Sequence, residues 1–195
     1  MLRRAQSRAG QWLAQQAGAA LAGVEAETIV IAGGGGEPPR FTTGLPAPTA
    51  LSISHSGGTV VAAAAFGARG IGLDVQGPRP RAAETVVGQR GWQRFFQAYT
   101  PPASPAGADR VIARWTLWEA AVKCDGSPLL AATTPAFEAL LGQRVPGTEG
   151  SWRSQRYWAL SRRLDDVVWL ALIGHDDSDA LPEVEWREFT LPAAY

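Results

Sequence analysis

The N-terminal part of the chain begins with one helical pattern and continues with short strand-like runs. Residues 3–22 place apolar side chains at helical spacing and predict an α-helix. Apolar and β-branched residues at 28–32 predict a strand that stops at the glycines 33–36, which we interpret as a plain turn. Prolines between 37 and 49 predict an extended, irregular segment. Glycine-rich turns separate three further strand-like runs and predict a hairpin pair or meander at residues 51–54, 59–66 and 70–75.

The rest of the chain combines two helical patterns with aromatic-rich strands. Residues 81–99 have helical periodicity, and residues 109–124 form the strongest helical pattern, with Gly126 placed to end it. After a proline-rich connection, aromatic alternation and the turn signal Asp165-Asp166 predict antiparallel strands at residues 152–160, 167–174 and 184–189. Helices and strands in this order, without a clear internal repeat, predict an α+β fold.

Composition and charge exclude several classes of function. The 195 residues are 46% hydrophobic and 18% charged, which is typical of a globular protein rather than a disordered one. The formal net charge is zero, so no bulk electrostatic attraction to nucleic acid is expected. One cysteine excludes an internal disulfide, and no apolar run reaches the roughly 20 residues that a membrane-spanning helix needs. We therefore expect a cytoplasmic protein that binds neither nucleic acid nor membrane.

Candidate chemistry lies where a short strand and the strongest helix carry acidic and basic side chains. Residues two apart share one face of a strand, so Asp74 and Gln76 project together. Residues four apart share one face of a helix, so Trp115, Glu119 and Lys123, the only lysine of the chain, form a line. Asp74 and Glu119 can therefore supply oxygen ligands to Mg²⁺, and Lys123 can hold a phosphate beside it. The alternative from spacing alone is an exposed Glu–Lys pair beside an ordinary aspartate.

Three motifs in this region carry a family resemblance. They are Ser54-His55-Ser56, then Gly-Leu-Asp-Val-Gln at 72–76, then Trp-Thr-Leu-Trp-Glu-Ala-Ala-Val-Lys at 115–123. Their order and spacing resemble those of the 4'-phosphopantetheinyl transferases, in particular the Sfp type, whose patterns are close to S-H-S, G-x-D-x-E and W-x-x-K-E-A-x-x-K. Gly36-Glu37-Pro38 also resembles a Gly-Lys-Pro element of that family, and the match covers roughly residues 36–130.

The resemblance implies a fold of two similar α+β halves, related by a pseudo-twofold axis, with the active cleft between them. Residues 1–77 would form the N-terminal half and residues 78–195 the C-terminal half of one transferase-like domain. The implied reaction is the magnesium-dependent transfer of 4'-phosphopantetheine from coenzyme A to a serine of an acyl or peptidyl carrier protein. Adenosine 3',5'-bisphosphate would be released, and the protein would act as a monomer.

The resemblance also assigns catalytic and metal-binding roles. Asp74, Gln76 and Glu119 map onto the metal-binding positions. Glu119 also maps onto the proposed base for the attacking serine. Lys123 maps onto the lysine that contacts the coenzyme A pyrophosphate, which makes it both a catalytic and a cofactor-binding candidate.

Further residues are implied to bind coenzyme A. His55 maps onto a contact to the 3'-phosphate, and Ser54 lies beside it. Arg40 is a candidate for an additional cation in the pocket, as are Arg79 and Arg81. Their positive charges would offset the charge of the coenzyme A phosphates.

Three positions depart from the family pattern and leave a second hypothesis open. Gln76 replaces a carboxylate, so it can offer Mg²⁺ an amide oxygen but no charge. Trp118 replaces a lysine, and its ring would either border the site or cap the space for a phosphate, while Glu37 replaces another lysine. The alternative is a diverged relative without transferase activity. It would bind a carrier protein or acyl intermediate, or catalyse a different reaction in an apolar pocket.

Overall fold

The computed structural model describes residues 2–34, 37–46, 48–77, 105–127, 134–141, 149–154, 156–166 and 168–191. These residues form α-helices and antiparallel sheets, so the predicted α+β class is confirmed. The predicted helix at 81–99 lies outside the described residues, as do Arg79 and Arg81. No helix in the described ranges is long and apolar enough to cross a membrane.

The N-terminal part contains a long helix followed by a small two-stranded sheet. Helix α1 (Leu2–Ala22) matches the predicted helix, and a 3-10 turn follows at Ala26–Thr28. Strand β1 (Val30–Gly34) extends into the glycines that the pattern assigns to a turn, and it pairs antiparallel with β2 (Glu37–Thr43). The segment expected to be extended and irregular at 37–49 is therefore extended over β2 but regular there. A two-stranded sheet accommodates prolines because each strand has an edge with no ladder bonds.

A hairpin joins α1 to the remainder of the fold. Strands β3 (Thr49–Ser56) and β4 (Thr59–Phe66) pair antiparallel through the predicted glycine turn. Helix α1 packs against both strands. The approach is close because Gly10 lies over Ile53, where a Cβ atom at Gly10 would come within 2.7 Å of the isoleucine Cγ2.

The larger sheet unites strands from both parts of the chain. Strand β5 (Gly70–Gln76) pairs with β8 (Trp169–His175), which pairs with β7 (Tyr157–Arg163), which pairs with β6 (Gly150–Ser154), all antiparallel. The single strand predicted at 152–160 is therefore two strands, β6 and β7. Strand β5 thus links residues 1–77 to residues 78–195 within one sheet.

The predicted strand at 184–189 is wrong. These residues have no regular secondary structure. Their side chains pack on the sheet and on α1 instead: the ring of Trp186 lies 4.7 Å from the guanidinium carbon of Arg162, and Phe189 contacts Trp12 edge to face. Trp186 and Phe189 remain 43% and 39% exposed, so the segment makes these ring contacts at the surface and forms no strand.

Two helices pack on one face of the larger sheet. Helix α2 (Pro105–Cys124) ends as predicted before Gly126, which has a φ of 61°, and α3 (Pro135–Leu141) was not predicted. Apolar residues of both helices pack with Ala171 and Ile173 of β8. The largest buried side chain in this core is Trp118, which is 1% exposed.

Strand β3 runs beside the free edge of β5 and satisfies that edge with serine hydroxyls. An unpaired row of backbone N–H groups would otherwise be costly to bury. The N–H groups of alternate residues from Leu73 to Gly77 donate to hydroxyls of alternate β3 residues: Leu73 to Ser52 at 2.9 Å, Val75 to Ser54 at 3.3 Å, and Gly77 to Ser56 at 3.1 Å. This serine stripe fixes the register between the hairpin and the sheet.

The close approach of α2 to β5 depends on Gly72, where a Cβ atom would lie 1.8 Å from the carbonyl oxygen of Ala120. We expect Gly72→Ala to lower the free energy of unfolding by about 2–3 kcal/mol or more, because the clash involves backbone. Urea denaturation measures the change. Gly58→Ala is the matched control, since no atom lies within 4 Å of its added Cβ. Equal loss of stability in both variants would contradict this account.

Candidate functional site

Five polar side chains from three elements meet where α2 crosses β5 beside β3. We call them the β5–α2 cluster: Ser54 from β3, Asp74 and Gln76 from β5, and Glu119 and Lys123 from α2. The strand spacing puts Asp74 and Gln76 on one face of β5, and the helix spacing puts Glu119 and Lys123 on one face of α2; packing of α2 on β5 brings the two faces together. Ser54, Asp74 and Gln76 are buried, and the two α2 side chains are half-buried.

Asp74 and Lys123 form an ion pair at the centre of the cluster. The Lys123 ammonium donates to Asp74 Oδ1 at 2.7 Å, to the Leu73 carbonyl at 3.0 Å and to Ser54 Oγ at 3.1 Å. Ser54 Oγ in turn donates to Asp74 Oδ1 at 2.8 Å. Lys123 therefore pairs with an aspartate on another element, rather than forming the exposed Glu–Lys pair that spacing alone allowed.

The carboxylates of Asp74 and Glu119 converge on the side-chain amide of Gln76. Its Nε2 donates to Glu119 Oε2 at 2.7 Å and to Asp74 Oδ2 at 3.2 Å. Its Oε1 lies 3.5 Å from the hydroxyl of Ser56. Gln76 thus presents hydrogen-bond donors to the carboxylates, and its role as an oxygen ligand stays a prediction.

The environment raises the pKa of Glu119 from its ordinary value of 4.5 to about 7. Burial is the largest cause, the negative charge of Asp74 is the next, and a hydrogen bond between the two carboxyl groups is the third. The positive charge of Lys123 and the hydrogen bond from Gln76 act in the opposite direction. A carboxyl group with a pKa near neutrality can both accept and release a proton at physiological pH.

Asp74 and Glu119 are chemically suitable ligands for Mg²⁺, which takes one or two carboxylates and keeps several of its waters. The described ranges contain no group of three or more His, Cys, Asp or Glu side chains placed to hold a metal ion. If Mg²⁺ binds in the cluster, the residues that would hold it are the two carboxylates, which have the Gln76 amide between them. Lys123 already offsets part of the charge of Asp74.

The remaining predicted residues lie outside the cluster. His55 is exposed on the face of β3 opposite to Ser54. Arg40 is exposed on β2, and its guanidinium lies 3.6 Å from the carboxylate of Glu37, so these two charges offset each other. The proposed contacts of His55 and Arg40 with coenzyme A stay predictions.

The position of the Trp118 ring shows that the expectation that it borders or caps the site is wrong. The side chain packs in the apolar core between α2 and the sheet, with its ring centroid 4.9 Å from that of Trp115. Tryptophan at this position thus fills the core, and it leaves the space next to Glu119 to polar groups.

The sequence prediction missed the roles of Ser52 and Ser56 in the serine stripe. The Ser52 hydroxyl accepts the Leu73 N–H of β5, and the Ser56 hydroxyl accepts the N–H of Gly77, which follows β5, and also contacts the Gln76 amide. Serine at every second position from 52 to 56 is a signal that could have indicated a buried hydroxyl row.

The raised pKa of Glu119 generates a prediction about stability. Between about pH 4.5 and 7 the folded protein binds more protons than the unfolded chain. The contribution of Glu119 to the free energy of unfolding is therefore fully present below pH 4.5 and is lost as the pH rises through 7. Over this pH range the free energy of unfolding of the wild type should fall by on the order of 2 kcal/mol relative to that of Glu119→Gln. Urea denaturation in EDTA measures it, with exposed Glu138→Gln as the control expected to keep the wild-type slope. A pH-independent difference between wild type and Glu119→Gln would contradict the raised pKa.

Comparison with known proteins adds no family assignment. No protein-family model matches the chain, and no curated protein matches it significantly. The resemblance to the phosphopantetheinyl transferases therefore depends on the motif residues and on how they are arranged.

Proposed function

We propose that this chain transfers 4'-phosphopantetheine from coenzyme A to a serine of an acyl or peptidyl carrier protein, with Mg²⁺ as cofactor. One observation carries the proposal. Asp74, Glu119 and Lys123 are the acidic and basic residues of the resembling motifs, and their side chains meet in one cluster. A chance match of short motifs gives no reason for these three side chains to converge.

Glu119 is the proposed base. With a pKa of about 7, its carboxylate can accept the proton of the carrier serine as the serine oxygen attacks the phosphorus that bears pantetheine. The bond from that phosphorus to the bridging oxygen of the pyrophosphate breaks, and adenosine 3',5'-bisphosphate leaves with the electron pair. Mg²⁺, when bound, would offset charge on the pyrophosphate.

Lys123 is the proposed cation for the pyrophosphate. It lies one helical turn from Glu119, and 27% of its side chain is exposed. To bind a phosphate oxygen, the ammonium group would exchange one of its three acceptors within the protein for that oxygen. The Asp74 carboxylate and the Ser54 hydroxyl orient the ammonium before the substrate arrives. Preorganised charge of this kind is a main source of catalysis in phosphoryl transfer.

The proposed architecture is that of two α+β halves, residues 1–77 and 78–195, with the active cleft at their junction. The pairing of β5 with β8 across this boundary supports a junction next to the cluster. We further propose that the protein acts as a cytoplasmic monomer, with coenzyme A and the carrier protein as its partners.

The second candidate function is carrier-protein or acyl-intermediate binding without transfer. The observation that favours it is that the cluster satisfies its own charges. The Lys123 ammonium has three acceptors within the protein, and the Gln76 amide takes an oxygen of each carboxylate. A site of this kind can persist in a relative whose chemistry has been lost.

The test of transfer is the mass gain of apo carrier proteins incubated with the protein, coenzyme A and MgCl₂. We expect the wild type to modify at least one member of a panel, and Glu119→Gln to be at least about 100-fold slower because it lacks the base. Glu138→Gln, on the exposed face of α3, is the control and should keep the wild-type rate. No mass gain by the wild type, together with no thermal stabilisation by coenzyme A, would favour the second candidate.

Coenzyme A affinity tests the role of Lys123. We expect Lys123→Ala to raise the dissociation constant at least about tenfold, because a charge-assisted contact to the pyrophosphate is lost. Arg162→Ala is the matched control, since Arg162 lies on β7 against Trp186 rather than in the cluster. Calorimetry measures both constants, with circular dichroism to verify folding. The same constant in the two variants would remove Lys123 from the binding site.

A further inference from the structure

The Gln76 amide engages the carboxylate oxygens that a divalent cation would need. Lys123 and Ser54 both hydrogen-bond to Asp74 Oδ1, so Oδ2 is the oxygen left for a further ligand. Gln76 Nε2 donates to this Oδ2 and also to Glu119 Oε2. A cation that bridges Asp74 Oδ2 and Glu119 Oε2 would therefore take the place of the amide nitrogen.

The surroundings of the amide explain its orientation. Reversing it would turn Oε1 toward the oxygens of two acidic side chains, which can supply a hydrogen bond to it only when one of them is protonated. It would also exchange the two N–H donations for one contact to Ser56, whose hydroxyl already accepts the Gly77 N–H at 3.1 Å. Because Gln76 is only 8% exposed, water does not readily replace these hydrogen bonds. The nitrogen therefore faces the carboxylates.

We propose that Gln76 is a positioning residue that takes the place of the cation: it holds Asp74 and Glu119 together in the metal-free protein and competes with Mg²⁺ for them. This inference rests on the metal site of the proposed function. The hydrogen bonds of Gln76 involve Asp74 Oδ2 and Glu119 Oε2, so Mg²⁺ bound to these two oxygens would displace both.

Competition between the Gln76 amide and Mg²⁺ for the carboxylates should affect the affinity for Mg²⁺ more than any contribution of the Gln76 oxygen as a ligand. Magnesium keeps several waters when it binds to proteins, so a water can occupy the place that an amide oxygen would take. Water does not take over the role of the two N–H donors in the same way. These donors compete with Mg²⁺ for the carboxylate oxygens, so their loss removes the competition. Removing the amide should therefore strengthen binding of Mg²⁺.

The experiment is thermal unfolding of the full chain during titration with MgCl₂, with NaCl of equal ionic strength as the reference. Gln76→Met keeps the length of the side chain and removes both amide groups. Without magnesium we expect this variant to melt below the wild type, because the carboxylates lose their bridge. With magnesium its melting temperature should rise more than that of the wild type, with half of the effect at a roughly tenfold lower concentration.

Gln6→Met is the matched control. Gln6 is also buried and donates its amide to the Gly57 carbonyl at 2.6 Å, outside the cluster. It should lower the melting temperature but leave the magnesium response at the wild-type level. An enhanced response in this control would overturn the proposal, since the effect would not be specific to Gln76.

Two further results would overturn it. If magnesium stabilises the wild type as strongly as Gln76→Met, or more strongly, Gln76 either is a ligand of Mg²⁺ or has no effect on Mg²⁺ binding. If Gln76→Met does not fold, Gln76→Ala is measured, because it leaves space for water. Failure of both variants to fold in MgCl₂ would also count against competition, since a cation that replaces the amide must restore the cluster. These melts contain neither coenzyme A nor carrier protein, so their outcome is independent of the transfer assay.

Discussion

The ion pair between Asp74 and Lys123 is the interaction on which the site depends. Asp74 is 1% exposed, and a carboxylate buried to that extent is strongly destabilising unless a cation and hydrogen bonds compensate it. Lys123 supplies the cation at 2.7 Å. Because the two residues lie on β5 and α2, their pairing sets the position of the helix along the strand, and it places Glu119 one turn away. Gly72 makes this possible, since it lets α2 approach the β5 backbone.

The serine stripe connects this ion pair to the N-terminal hairpin. The Ser54 hydroxyl accepts the Val75 N–H from the free edge of β5, donates to Asp74 and accepts from Lys123. One side chain thus satisfies the sheet edge and orients the charged pair. A shift of β3 by one residue would turn the serines away from β5, so the hairpin register and the site geometry are coupled.

Local periodicity predicted much of the fold and the composition of the site. The α+β class, the β3–β4 hairpin and the end of α2 before Gly126 follow from patterns of a few neighbouring residues. The same patterns put Asp74 and Gln76 on one strand face, and Glu119 and Lys123 on one helix face. These features depend on backbone geometry that repeats every two or 3.6 residues, which a single sequence displays directly.

Only the tertiary structure decided how these faces meet. Pairing of β5 with β8 joins segments far apart in the chain, and no local pattern encodes that pairing. It brings α2 over β5, turns Trp118 into the core, and leaves the Gln76 amide nitrogen between two carboxylates. The raised pKa of Glu119 likewise results from burial and from the nearby charge of Asp74. The sequence by itself determined which polar groups share a face. Long-range packing determined their partners, their burial and therefore their charge.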